Sequence, residues 1–220
     1  MQSSIASAFP PAEQEKIADA VREAEKITAG EIVPYVVGRS DHYESAEWRA
    51  GFLCWCAAFL ALSLIPRAAG AWMRFDALTL AALSLLAWGT GMLLVRTVPP
   101  LTRLFAGKHL MARRVEQRAA EAFISEEVFA TPRRTGILIF LSLLERRVLV
   151  IGDAGINSRV AAGAWDDIIR GVVTAVSSGH PADGLVEAIR ACGALLAGHG
   201  VAREAADADV LPDGLRLRKE

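Results

Sequence analysis

Two aspartates in this 220-residue sequence stand where a carboxylate could do chemistry. Asp153 lies in Gly152-Asp153-Ala154-Gly155, between an apolar run and the start of a helical pattern. Asp41 lies in Arg39-Ser40-Asp41-His42, after another apolar run. In open α/β sheets ligands gather beyond the strand ends, where loops meet helix N-termini. If the two preceding strands run parallel, both carboxylates converge, and such oxygen ligands suit Ca²⁺ or Mg²⁺. The same positions have a structural reading. Asp41 with Glu44 has the spacing of a capping box, and capping is favoured there. Around Asp153 the flanking glycines indicate close backbone approach, so binding and turn chemistry both stay open.

The other reactive side chains form no pattern. His42, His109, His180 and His199 have no metal-ligand spacing and read as ordinary exposed histidines. No P-loop, GxSxG, HExxH or dinucleotide fingerprint occurs, which leaves catalytic residues unassigned and weakens an enzymatic reading. Cys54, Cys56 and Cys192 form no CxxC and read as small apolar packing residues. Arg96, Arg103, Lys108, Arg113, Arg114 and Arg118 are opposed within their run by Glu116 alone. Such a run could clamp anionic lipid headgroups. It could also be only a membrane-topology signal, which is the preferred reading.

The elements that must position these residues include a membrane insert. Hydrophobic residues make up 53% of the chain, and mean hydropathy is +0.31. From Gly51 to Val95 the charged residues are Arg67, Arg74 and Asp76. Ala77–Val95 is uncharged and, as a helix, would span ~28 Å, close to the hydrocarbon thickness of a bilayer. Gly51–Ile65 is shorter, but Arg49 and Arg67 can snorkel outward, and Trp48 and Trp72 stand at interfacial positions. The two runs read as a transmembrane hairpin over residues 50–95, with spans about 50–66 and 77–95 and Pro66 to Asp76 as its outer turn. Arg67 and Arg74 in that turn face Arg39, Arg49, Arg96, Arg103, Lys108, Arg113 and Arg114 on the other side. This asymmetry predicts two spans in the plasma (inner) membrane, with both termini and the soluble part cytoplasmic. The opening MQSSIASAFPPAEQEK lacks the basic and apolar regions of a secretory signal. A net charge of −1 gives no case for nucleic acid as a partner.

Outside the insert, residues 1–49 read as one helix, opened by Pro10-Pro11 and capped by Gly30, then one strand, Glu31–Gly38. Pro34 lacks a ladder donor and predicts an edge or a bulge. A helix from about Lys108 to Phe129 follows the insert. The strands Gly136–Ser142 and Arg147–Gly152 then form a hairpin around Glu145-Arg146. Both look buried on two faces, which predicts helices on both sides of the sheet. Stripes through Trp165, Ile168, Ile169, Val172, Val173 and Val176, and through Leu185, Ile189, Cys192 and Leu196, give two more helices. The tail after Gly198 is expected to fray. The strand in residues 1–49 needs the later sheet, so residues 1–49 and 96–220 make one discontinuous α/β domain.

These elements resemble the TPM-domain family. The matching pieces are Thr28-Ala29-Gly30-Glu31-Ile32-Val33, Thr135-Gly136-Ile137-Leu138-Ile139, Glu145-Arg146-Arg147-Val148 and Gly152-Asp153-Ala154-Gly155-Ile156. The likeness is strongest to the bacterial branch described as predicted membrane proteins. It implies an α/β/α sandwich and, by analogy with some soluble relatives, divalent-cation binding and weak acid-phosphatase activity. It also marks Glu31 as the family's acidic position, beside Asp153 and Asp41, although a surface strand-end charge is the favoured reading there. Typical relatives carry their anchor outside the domain, whereas here it interrupts the domain. The expected function is a membrane-anchored, non-catalytic interaction or assembly module whose partners are the bilayer and another membrane protein. The alternative is a weak metal-dependent acid phosphatase using Ca²⁺ or Mg²⁺.

Overall fold

The structure, a computed structural model, describes residues 2–68, 76–201 and 211–218. It divides into two compact units, Met1–Ser40 with Ala112–Glu220, and Asp41–Met111. The first is a mixed α/β unit whose four strands follow the order β3-β2-β1-β4. These are β1 (Glu31–Val37), β2 (Gly136–Ser142), β3 (Arg147–Gly152) and β4 (Arg216–Arg218). β1 runs parallel to β2 and to β4, while β2 and β3 are antiparallel. The long connection between the parallel pair β1 and β2 contains the whole second unit.

β2 is apolar at nearly every position because both of its faces are covered. Ile137, Ile139 and Leu141 join a cluster with Ile17, Val21, Leu185, Ile189 and Leu196. Leu138 and Phe140 join a second cluster with Val115, Ala119 and Ala122. The first cluster brings in helices α2 (Pro11–Ile27), α8 (Asp166–Ser177) and α9 (Pro181–Gly198). The second brings in α6 (Lys108–Ser125). Alternate side chains point to opposite faces, so a strand with helices on both sides shows no polar alternation. β3 is only half-buried, at the sheet edge, which is less than the sequence suggests.

Several boundaries differ from the sequence expectation. A helix α1 (Gln2–Ala8) precedes α2 and contributes Ile5 to the core, with Phe9 just beyond it. Thr28, in extended conformation, ends α2 in place of Gly30. α6 stops at Ser125, and Glu127 then takes a left-handed φ of 52°. The tail does more than fray, since β4 pairs with Tyr35, Val36 and Val37. That pairing begins immediately after Pro34, the residue that has no amide to donate.

The second unit is built on α3 (Glu44–Ala68) and α4 (Ala77–Thr97), packed as a hairpin. Pro66 falls inside α3, so the connection starts later than the sequence suggests. The remainder of the expected turn, residues 69–75, lies outside the described residues. Small residues bring the helices together. A Cβ on Gly91 would stand 2.7 Å from Cys54 Sγ and 2.9 Å from the Ala50 carbonyl oxygen. The Trp48 and Trp88 rings meet at 5.3 Å. Close packing through small residues is how helices associate where lipid removes the hydrophobic drive. Two stretches, Glu44–Leu64 and Ala77–Thr97, are long and apolar enough to cross a membrane, with only 11% and 17% of their most apolar windows buried. An unanticipated short helix, α5 (Pro99–Ala106), follows.

Candidate functional site

The end of the sheet holding Gly152 and Glu31 carries two of the acidic candidates, Asp153 and Glu31. Asp153 caps the short helix α7 (Ala154–Asn157), its Oδ1 accepting the Ala154 amide at 2.7 Å. Arg134, in the loop before β2, grips both oxygens. Its Nε donates to Oδ2 at 2.5 Å and its Nη2 to Oδ1 at 2.9 Å. The backbone reinforces the pair, since the Asp153 amide donates to the Gly136 carbonyl and the Gly155 amide to the Arg134 carbonyl, each at 2.9 Å. A Cβ on Gly155 would fall 2.4 Å from the Arg133 carbonyl oxygen and 2.7 Å from that of Arg134. The close approach signalled by the glycines is therefore to the chain's own loop. Arg134 itself has a left-handed φ of 55°.

Burial raises the Asp153 carboxyl, while hydrogen bonds from Arg134 and from the Ala154 amide, with the guanidinium charge, pull it down. The net position is below the usual carboxylate value. At neutral pH Asp153 is an anion whose oxygens are both engaged.

A family model described as the TPM domain matches residues 93–195, from the last turn of α4 into α9. Over those residues the chain is similar to the TPM domain. It is also similar to the NMR structure of the BA42 protein from the psychrophilic bacterium Bizionia argentinensis. That match has a TM-score of 0.56 and 20% identity, covering 94% of this chain and 93% of that one, and shows a shared fold. No curated protein matches the chain. The family-model match does not include Thr28–Val33, a segment tied to later parts of the same unit. Thr28 Oγ1 donates to the Val201 carbonyl at 2.6 Å, and Thr135 Oγ1 donates to the Ala29 carbonyl at 2.8 Å.

Glu31 shares the Asp153 end of the sheet, since it pairs with Gly136. It is buried, and its Oε2 accepts the Leu211 amide at 3.2 Å, which places the tail that leads into β4. Asp41 is different. The premise of parallel strands fails, because β3 runs antiparallel to β2, and β2 is parallel to β1. β1 therefore ends at the side of the sheet opposite Asp153, and the premise for the two aspartates converging is gone. α3 starts at Glu44, with the Tyr43 carbonyl accepting the Ala46 amide at 2.8 Å, and Asp41 Oδ1 accepts the His42 amide at 2.8 Å. Among the described residues no three His, Cys, Asp or Glu side chains are grouped to hold a metal ion.

The opposite end of the sheet carries a network that the sequence does not announce. Ser40 Oγ donates to Ser142 Oγ at 2.9 Å, the Ser40 amide donates to Glu145 Oε1 at 2.9 Å, and Ser142 Oγ donates to Glu145 Oε2. Ser142 is 0% exposed and Glu145 7%. A hydroxyl so enclosed cannot meet a substrate, and the network reads as a tie between the β1 exit and the β2–β3 turn. The four histidines are exposed. Of the basic run, Arg96, Lys108, Arg113 and Arg114 are exposed and Arg103 is half-buried. Arg114 Nη1 donates to Gln117 Oε1 at 3.1 Å, and Arg118 pairs with Glu121 at 3.2 Å.

Proposed function

We propose that this chain is a membrane-anchored TPM domain that works as a non-catalytic interaction or assembly module of a membrane complex. The supporting observation is the uncovered apolar surface of α3 and α4. Phe52 is 59% exposed, Leu85 64% and Leu86 68%. In water such a surface would drive aggregation, and in lipid it is satisfied. The anchor lies in the inner (plasma) membrane with two spans, and the basic residues around it hold the domain and both termini on the cytoplasmic side. The engagement of Asp153 by Arg134 favours a structural over a catalytic role for that carboxylate.

Purification from native membranes in mild detergent tests this reading. A discrete larger assembly containing a defined second membrane protein is the expected result. Elution of the chain alone under every mild condition would remove the assembly role. Turnover of a generic phosphomonoester that needs Ca²⁺ or Mg²⁺ and disappears in Asp153→Ala would put the phosphatase reading in its place.

A further inference from the structure

The helix α5 has no role in the anchor or the sheet, yet it is tied firmly to the hairpin. α4 cannot run on beyond Val98 because Pro99 has no amide to donate. The chain turns there, and Thr102 Oγ1 donates to the Val95 carbonyl at 2.6 Å, back onto the last turn of α4. Arg49 Nη1 of α3 donates to the Phe105 carbonyl at 3.3 Å. The faces of α5 divide cleanly. Thr102 and Ala106, four apart, are its packed side. Leu101, Leu104 and Phe105 share another face by their spacing, with Leu104 72% exposed and the other two half-buried.

We propose that α5 is an interfacial foot, lying along the bilayer surface with Leu101, Leu104 and Phe105 among the ends of the acyl chains. Arg96 and Lys108, both exposed and at either side of α5, meet anionic headgroups, with Arg103 on the helix between them. The proposal rests on the spanning role given to α3 and α4 above. If α4 crosses the bilayer, its last residue, Thr97, stands at the headgroup level, and α5 begins within about 7 Å of it along the chain. Its bonds to both hairpin helices hold it at that depth. The apolar face of α5 is continuous in sequence with a helix whose own apolar surface is uncovered, and basic residues flank it, so lipid is the occupant that fits. A short amphipathic helix of this composition seats its apolar side about 5–10 Å into the headgroup boundary.

Nitroxide depth measurements on the full chain test this. With Cys54 and Cys56 changed to alanine, single cysteines are placed at Leu104, Phe59, Leu86 and Glu187. The remaining Cys192 is fully enclosed, and burial pushes its thiol up to about 12, so it does not take the label. The chain is reconstituted in vesicles of phosphatidylcholine with phosphatidylglycerol. The expected result is deep, oxygen-rich positions at 59 and 86, a water-accessible position at 187, and a shallow position at 104 between them. A label at 104 as open to an aqueous nickel chelate as that at 187, with 59 and 86 deep, would overturn the foot and leave the anchor standing. Aqueous accessibility at 59 and 86 as well would overturn both.

Discussion

Removing either member of the Arg134–Asp153 pair separates its structural worth from any role in binding. Arg134→Ala leaves a buried carboxylate with the Ala154 amide as its remaining contact among those described above. A charge-assisted hydrogen bond lost at a buried site costs about 1–3 kcal/mol, and the exposure of Arg134, at 56%, places the loss toward the lower part of that range. The folded-state pKa of Asp153 is depressed, so the contribution of the pair is complete above the unfolded value of about 3.9 and is lost as pH falls through the folded value. Thermal melting of both forms in detergent should show a gap at pH 7 that closes below about pH 4. The same melts answer the cation question. A divalent ion at Asp153 would have to displace Arg134, so millimolar Ca²⁺ or Mg²⁺ should leave the wild-type midpoint in place. A rise of several degrees that vanishes in Asp153→Ala would return Asp153 to the role of ligand. Arg134 was legible in the sequence, although it was not found there. The β2–β3 hairpin around Glu145 pairs Ile137 with Gly152, and extending that register by three residues sets Arg134 opposite Gly155. The convergence of Asp41 with Asp153 depended on strand direction, which decides which loops share an end and which an apolar run does not carry.

At the scale of elements, the legible parts were those whose burial shows in the pattern. β2 and β3 stand out as apolar runs bounded by Thr135-Gly136 and Gly152-Asp153, and their observed limits are those of the runs. β4 is Arg216-Leu217-Arg218, too short and too charged to show a strand pattern, and it is held by pairing to β1 and by Glu126. α5 was hidden by its prolines and by its position after a long apolar run. The hairpin seam offers a direct test. Gly91→Val would drive a branched side chain into Cys54 Sγ and the Ala50 carbonyl, where overpacking costs about 1–3 kcal/mol. The midpoint of the hairpin should fall by several degrees in detergent, whereas Gly89→Val, which meets no atom within 4 Å, should leave it nearly unchanged. The mixed α/β unit should also fold without its insert. Replacing Asp41–Gly107 by a Gly/Ser linker of about 12 residues, with a mean reach of roughly 20 Å, should give a protein that is soluble without detergent and melts cooperatively. A chain that aggregates or shows no cooperative melting would mean that the sheet depends on the insert.

For the whole molecule, the sheet itself constrains how the chain can meet a membrane. β1 comes before the insert and β2 after it, and the two pair along their full lengths from Glu31↔Gly136 to Val37↔Ser142. β4, near the end of the chain, pairs with β1 as well. Strands that share hydrogen bonds must lie on one side of a bilayer, so the number of crossings between them has to be even. One span would tear β1 from β2, and two spans keep them together. That reasoning joins two apolar helices which, taken singly, are each only compatible with a membrane. The proposed side rests on charge: the sequence has Arg67 and Arg74 near the outer connection, against Arg39, Arg49, Arg96, Arg103, Lys108, Arg113 and Arg114 at the other. A fluorescent reporter fused after Glu220 should be active and an alkaline phosphatase reporter there inactive, with the opposite result for fusions at Ala69. Both fusion sites on the cytoplasmic side would mean that the hairpin lies on the membrane without crossing it. Both reversed would keep the two spans and the sheet, turn the domain outward, and leave the basic run around α5 without its orienting role.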